Sequence, residues 1–407
     1  MFPLRTVVVG TFVPTVLFEM GVAATMPIAA SAAISLGASL ELAGFVLALI
    51  PVGQILADIP AGALAARIGD RSAMMLAGLL ASAALVSAAL ATSLTVLAIS
   101  MLAIGAASAV YFLARQAYLT EITAPMKRAR VLSTLGGVHR IGMFIGPFLG
   151  AAIIAASGLR GAFWAAAGFA LLSVVVAALS GSGSVRFRRR LPDDDAVTRR
   201  PATMGSVLRE NLSVFATLGL IGMLIGAVRG ARNTVLPLWA EHIGLAPEVT
   251  SVVFGIAALT DALLFYPAGW VMDRFGRLSV GVPSMLTMGA ALALLPFTST
   301  LTGITIVAIL LGLGNGMSSG ILMTLGADIA PENTRAQFLA LWRVLTDFGT
   351  MTGPLVLSTA AALGSLAAGV WVMAGSSALS ALTQIRWVPR LTPHASNRTR
   401  RDAGLIE

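Results

Sequence analysis

A chain of 407 residues that is 57% hydrophobic and only 11% charged has too little charge to cover a soluble globule, which excludes a water-soluble fold. Its net charge of +9 sits in short segments between apolar blocks, so nucleic acid is not needed to explain it. With no cysteine, disulfides and thiolate chemistry are excluded, and His139, His242 and His394 stand too far apart for a metal-ligand pair.

Twelve apolar blocks follow one another near 7–33, 42–65, 73–93, 95–121, 132–156, 160–180, 213–240, 249–271, 278–297, 301–327, 338–361 and 365–387. Each is long enough to cross ~30 Å of hydrocarbon as a helix. The first exceeds the h-region of a signal peptide and is followed at once by another, so it reads as a retained span. It holds Phe18 and Glu19; Glu19 lies fourteen residues after Arg5, ~21 Å deep at ~1.5 Å per residue. The second holds Asp58, nine residues before Arg67 and thus ~13 Å deep, and ends in Gly62-Ala-Leu-Ala-Ala-Arg67-Ile-Gly69-Asp70-Arg71. The fourth carries Tyr111, Phe112 and Arg115. The fifth carries His139, Arg140 (~15 Å from Arg130) and the run Gly142-Met-Phe-Ile-Gly146-Pro147-Phe-Leu-Gly150.

Residues 181–210 break the pattern with Arg188-Arg189-Arg190 and Asp193-Asp194-Asp195, and read as a polar linker with six spans on either side. The seventh span holds Arg229, Arg232 and Asn233. The eighth holds Asp261, ~18 Å from Asp273, and ends in Gly269-Trp-Val-Met-Asp273-Arg274-Phe-Gly276-Arg277. The tenth contains Gly312-Leu-Gly314-Asn315-Gly316-Met317-Ser318-Ser-Gly320. The eleventh holds Arg343, ~12 Å from Arg335, and Asp347. The division is therefore a first bundle over 1–180, a linker over 181–210, a second bundle over 211–388 and a tail over 389–407.

With the N-terminus cytoplasmic, 21 of the 27 basic residues fall inside, only Arg160 falls outside, and five lie within spans. That contrast predicts a multi-pass inner-membrane protein with both termini cytoplasmic. The halves also repeat at an offset of 207 residues: Pro60 and Pro267, Gly62 and Gly269, Arg67 and Arg274, Gly69 and Gly276, Gly105 and Gly312, Arg128 and Arg335, Gly142 and Gly349, Gly146 and Gly353, Pro147 and Pro354. Parallel repeats imply a pseudo-two-fold axis along the membrane normal and a site between the halves near the midplane.

The loops after the second and eighth spans resemble the conserved loop of the major facilitator superfamily, G-x-L-a-D-R-x-G-R-K. Gly62, Arg67, Gly69 and Arg71 match in the first copy, and Gly269, Asp273, Arg274, Gly276 and Arg277 in the second. Ala66 stands where the family has its Asp, so the first copy lacks that carboxylate. The run Gly142, Gly146, Pro147, Gly150 resembles the signature of the twelve-helix drug:proton antiporters, with Ala151 in place of its last glycine. The Arg that such exporters carry four residues before a glycine of the fourth helix is absent; Met101 precedes Gly105.

The resemblance implies an all-α fold of twelve transmembrane helices in two pseudo-symmetric six-helix bundles. It implies proton-coupled efflux of a small amphipathic organic molecule by alternating access, with substrate, protons and the bilayer as partners, no cofactor, and a monomer. Ionisable groups in a span cost energy and are functional candidates by default. A carboxyl in a partly dry cavity can change protonation as access alternates, which nominates Glu19, and after it Asp58 and Asp261, for proton coupling. The wall of the cavity is expected from Phe18, Tyr111, Phe112, Arg115, Arg229, Asn233, Asn315 and Met317. Matched depths pair Asp58 with Arg343, beside Asp347, and Arg140 with Asp261, as an inner gate made in the outward-facing state and broken in the inward-facing one.

Two other functions are weighed. Arg115 and Arg229 would suit uptake or exchange of an organic anion. Gly316-Met-Ser318-Ser-Gly320 has the spacing of a serine-hydrolase elbow with His139 as base, but that elbow needs a strand–turn–helix and this copy lies inside an apolar span. The chain's only lysine, Lys127, follows Met126, so there is no Gly-Lys nucleotide loop either. No enzyme is expected.

Overall fold

The computed structural model describes residues 8–123, 125–180 and 204–404, with the side chains of 59, 125–130 and 336 outside that description. Most of the linker, 181–203, therefore lies outside the described residues. The described chain is helical, and ten stretches are long and apolar enough to cross a membrane. One of them, 131–179, contains two helices joined at Gly158, whose φ of 73° interrupts the helical path. A further helix, Arg335–Ala362, is thinned in apolarity by Arg343, Asp347 and four threonines. The total is twelve.

In chain order these are α1 (Val8–Ser35), α2 (Leu40–Ile68), α3 (Asp70–Ala89), α4 (Leu94–Ile122), α5 (125–157) and α6 (159–179) in the first half. The second half has α7 (Leu212–His242), α8 (Pro247–Phe275), α9 (Leu278–Phe297), α10 (Leu301–Ile329), α11 (Arg335–Ala362) and α12 (Leu366–Leu391). Among the described residues, α1 and α10 are interrupted along their length. Pro27 tightens α1 into a 3-10 turn at Met26–Ile28, and α10 unwinds between Met317 and Ile321.

The internal repeat is written into the backbone. Ser93 caps α4 by accepting from the Val96 N–H at 3.4 Å, and Thr300 caps α10 by accepting from Gly303 at 3.2 Å, 207 positions later. The two motif loops turn on Gly69 (φ 87°) and Gly276 (φ 96°), at the same offset. Only glycine takes that conformation without strain.

Helices in lipid gain no hydrophobic free energy from touching each other, so close packing of small residues must hold them. Gly142, Gly146 and Gly150 run down α5 against α1, and Gly349 and Gly353 run down α11 against Met223 and Ala227 of α7. Gly105 of α4 meets the Ile50 backbone of α2, and Gly312 of α10 meets Ala257 of α8. The repeated glycines are thus the contact points of repeated helix pairs.

A Cβ at Gly146 would lie 2.7 Å from the Met20 carbonyl oxygen and 2.9 Å from the Ala23 Cβ. One at Gly168 on α6 would meet nothing within 4 Å. Gly146→Ala is therefore expected to lower stability by about 1–3 kcal/mol. Gly168→Ala should be neutral or slightly stabilising, because alanine favours helix. Thermal melts in one detergent compare them, and equal melting temperatures would contradict the α1–α5 contact.

The halves meet through α2 and α11, α5 and α8, and α1 and α7. On the face opposite the motif loops, Ser31 of α1 donates a hydrogen bond to Glu241 of α7. There too, Gly44 of α2 is filled in by Ser358 and Leu238, and Gly255 of α8 by the Phe148 ring of α5. On the motif-loop side, Gly62 of α2 and Gly269 of α8 face open space. The seal thus lies on the face away from the motif loops.

Candidate functional site

Glu19 sits in the middle of the first half. Arg115 Nη1 of α4 donates to its Oε1 at 2.9 Å, and His139 Nδ1 of α5 lies 2.7 Å from the same oxygen. The side chains are 1%, 9% and 30% accessible in the order Glu19, Arg115, His139, so the way to the carboxylate passes the imidazole. A side chain at Gly142 would run into the Glu19 Cβ, so the bare glycine lets α5 close on α1 here, and the Arg115 guanidinium stacks 4.5 Å over Phe112. The antiporter-like run of α5 thus forms the wall behind this carboxylate.

Phe18 and Tyr111 do not face an opening. Their rings stack in parallel at 3.9 Å with 0% and 1% accessibility, and the Tyr111 hydroxyl pairs with Ser173 at 3.1 Å. They back the wall because α1 and α4 are rotated so that this pair points into the first bundle. Glu19 of α1 and Arg229 of α7 are not partners of each other. Each is served within its own half, Glu19 by Arg115 and His139, Arg229 by Ser318.

The second cluster surrounds Asp261 of α8. Asn315 Nδ2 of α10 donates to Asp261 Oδ2 at 2.8 Å, and Arg140 Nε of α5 lies 3.9 Å from Oδ1, beyond hydrogen-bond reach. The Arg140 guanidinium rests 4.0 Å over the Phe265 ring. From α7, Arg229 Nη2 donates to the Ser318 carbonyl at 2.5 Å and to its Oγ at 2.8 Å, which satisfies the unwound turn of α10. Arg232 donates to the Ala257 carbonyl at 3.3 Å and to Asn233 Oδ1 at 3.4 Å.

A cavity of about 520 Å³, its open mouth included, lies between α1, α2, α7 and α11. Met26, Ile50, Pro51, Gln54, Thr350 and Pro354 are among its lining residues. Of the eight wall residues read from the sequence, Asn233 is among those that line it and the other seven are not. Gln54, an amide in an otherwise apolar stretch of α2, was the signal available for this surface.

Of the depth-matched pairs, Asp58 and Arg343 are in contact, and Arg140 and Asp261 face each other at 3.9 Å without a hydrogen bond. Arg343 Nη2 lies 3.4 Å from Asp58 Oδ1 across α2 and α11, and its Nε lies 3.3 Å from Asp347. These pairs are made while the opposite face is sealed, so closure of that face does not by itself separate them.

The two motif loops are held differently. Arg71 donates to the Ala177 and Ala178 carbonyls at the end of α6, at 2.7 and 3.3 Å. Arg277 forks onto Asp328 at 2.9 and 3.2 Å and lies 3.6 Å from Asp273. The tail covers this second loop. The Arg277 N–H donates to the His394 carbonyl at 3.0 Å, Arg400 donates to the carbonyls of Asp273 and Arg274 at 2.8 and 3.2 Å, and Ala395 packs over Gly276. Asp328, the tail contacts and the partnership of His139 with Glu19 were not read from sequence.

The hydrolase reading fails on geometry. Ser318 lies at a helix–turn–helix break, accepts from Arg229 and donates to the Asn315 carbonyl, while His139 is engaged with Glu19. No serine–imidazole pair forms there.

The chain is 26% identical over 324 residues to multidrug resistance protein MdtH of Cronobacter sakazakii, covering 78% of this chain and 77% of that one. It is 21% identical over 329 residues to the MFS-type transporter YhjO of Bacillus subtilis, covering 80% and 79%. Among solved structures, a POT family transporter in complex with a thioalcohol conjugated peptide aligns with a TM-score of 0.78 at 15% identity, covering 95% and 97%. The human organic anion transporter MFSD10 aligns at 0.66 with 18% identity, covering 93% and 98%. At those identities the structures speak for the fold alone. The sequence profile of the Major Facilitator Superfamily matches residues 11–228 and 218–406, so both halves are accounted for. This chain belongs to that superfamily of membrane transporters and is not an enzyme.

Proposed function

We propose that this transporter exports a small amphipathic organic molecule in exchange for protons by alternating access. The observation that carries the reading is Glu19, a buried carboxylate beside one titratable partner, His139, and packed against the antiporter-like glycine run. A proton carrier must be charged at one stage of the cycle and neutral at another. Arg115 pairs with the Glu19 carboxylate, and the His139 imidazole, beside the same oxygen, is placed to take or return the proton. Asp58 and Asp261 are the next carboxyls along the interface between the halves. The inter-half contacts of Asp58 with Arg343 and of Arg140 with Asp261 tie the two halves together and differ in strength between the states of the cycle, and the cavity bounded by α1, α2, α7 and α11 admits the substrate. The test is substrate accumulation by proteoliposomes under an imposed pH gradient, wild type against Glu19→Gln.

The protein works as a monomer of two bundles joined by a cytoplasmic linker in the inner membrane, with both termini in the cytoplasm. Because the chain has no cysteine, single thiols can be placed without background. Ser299→Cys, between α9 and α10, should react with an impermeant maleimide only from outside intact cells. Asp402→Cys, beyond α12, should react only after the membrane is opened. The reverse pattern would reject the orientation.

A further inference from the structure

We infer that Arg140, Arg229 and Arg232, gathered around Asp261, form a receiving site for the acidic group of an organic anion. This deepens the transport reading and rests on it, by naming the substrate's charge. The three guanidiniums come from α5 and α7, and the single carboxylate comes from α8. Each arginine lies within electrostatic reach of Asp261. The cluster therefore carries two more positive charges than negative ones, at mid-span. An unbalanced charge in the hydrocarbon is among the costliest placements a membrane protein makes, and such groups normally pair.

The hydrogen bonds show the same imbalance. The Nε atoms of Arg140, Arg229 and Arg232 are buried with no hydrogen-bond partner, and so is Asp261 Oδ1. Asp261 cannot serve them all, since Asn315 holds its other oxygen and Arg140 stays 3.9 Å away. A carboxylate, sulfonate or phosphonate has the oxygens to satisfy these donors, and guanidinium forks match that geometry.

Access and shape agree. The Arg140 and Asp261 side chains are 18% and 14% accessible, and charged groups at that depth open onto an aqueous cavity, not onto lipid. Asn233, which accepts from Arg232, also lines the 520 Å³ cavity. Arg229 braces the unwound turn of α10, and broken helices of this kind mark binding sites in transporters. Phe265, stacked on Arg140, offers an aromatic face for the apolar body of the ligand. His139 and Arg140 are successive residues of α5, so one helix touches both the anion site and Glu19.

The test is a thermal-shift titration of the purified full-length protein in detergent, with no pH gradient. The probes are aromatic carboxylates and sulfonates of graded size, each paired with its neutral amide or sulfonamide. At least one acid should raise the melting temperature saturably while its amide does not. Arg140→Gln, which leaves the α10 brace intact, should weaken that acid about tenfold, a change equal to ~1.4 kcal/mol. Asp261→Asn removes the competing carboxylate and should tighten it by a similar factor. Arg160→Gln, far from the cluster, should change nothing. If no acid stabilises the wild type, if amides act equally, or if Arg140→Gln and Asp261→Asn shift acid binding in the same direction, the site is only structural. Failure of proton coupling would appear instead in the gradient assay and leave acid binding unchanged.

Discussion

Glu19→Gln is expected to abolish substrate accumulation driven by a pH gradient. Glutamine keeps the shape and can still accept from Arg115, but it cannot take up or release a proton. The substitution also strands a buried guanidinium. Removing one partner of a buried ion pair costs about 3–5 kcal/mol, so lost transport alone would be ambiguous. The decisive variant is therefore Glu19→Gln with Arg115→Gln, which restores neutrality. Its melting temperature should recover toward wild type, while accumulation stays absent and downhill exchange of substrate continues. His139→Asn, with Glu19 intact, should slow accumulation without stopping it, because the imidazole lies on the path and is not the carrier. If the double variant concentrates substrate at the wild-type rate, Glu19 is structural and the coupling role moves to Asp58 or Asp261.

Breaking the Asp58–Arg343 pair should slow transport about tenfold, equal to ~1.4 kcal/mol in the barrier. The pair joins α2 and α11, the two halves, and Arg343 is 45% accessible, so its static contribution is small. Its effect lies in the difference between conformations that make the contact and those that do not. Asp58→Asn and Arg343→Gln should each show the loss. The exchange of the two charges should recover activity only in part, because an aspartate at 343 would face Asp347, now 3.3 Å from Arg343. Adding Asp347→Asn removes that repulsion and should improve recovery. Additive effects of the single substitutions in this cycle would mean the two residues do not interact during transport.

Much of the architecture was legible because it depends on quantities a sequence displays. Span length follows from bilayer thickness, and the 207-residue repeat places Gly105 and Gly312, or Gly146 and Gly353, at equivalent crossings. Depth along an axis was also readable, which is why Asp58 with Arg343 and Arg140 with Asp261 could be paired. Rotation about the axis was not. A helix in lipid is apolar on every side, so no hydrophobic stripe says which way Phe18 or Tyr111 turns. The same blindness hid His139 as the partner of Glu19, since that contact depends on how α5 is turned where Gly142 lets it approach α1. Asp328 and the residues over Gly276 were out of reach for another reason, as they come from distant parts of the chain with no pattern of their own.

The clamp on the second motif loop has a consequence for how the molecule is made. Arg71 donates to the carbonyls of Ala177 and Ala178, contacts that can form as soon as α6 is in place. Arg277 and Gly276 depend on His394, Ala395 and Arg400, which are synthesised more than a hundred residues later. During translation these Arg71 contacts can therefore form before the second half is made, in keeping with N-terminal units folding first. Arg277 can meet Asp328 earlier, but the cover that the tail lays over this loop waits until residues 394–400 have emerged. A ribosome that stops just after α12 would leave a chain with every span made and its second motif loop uncovered.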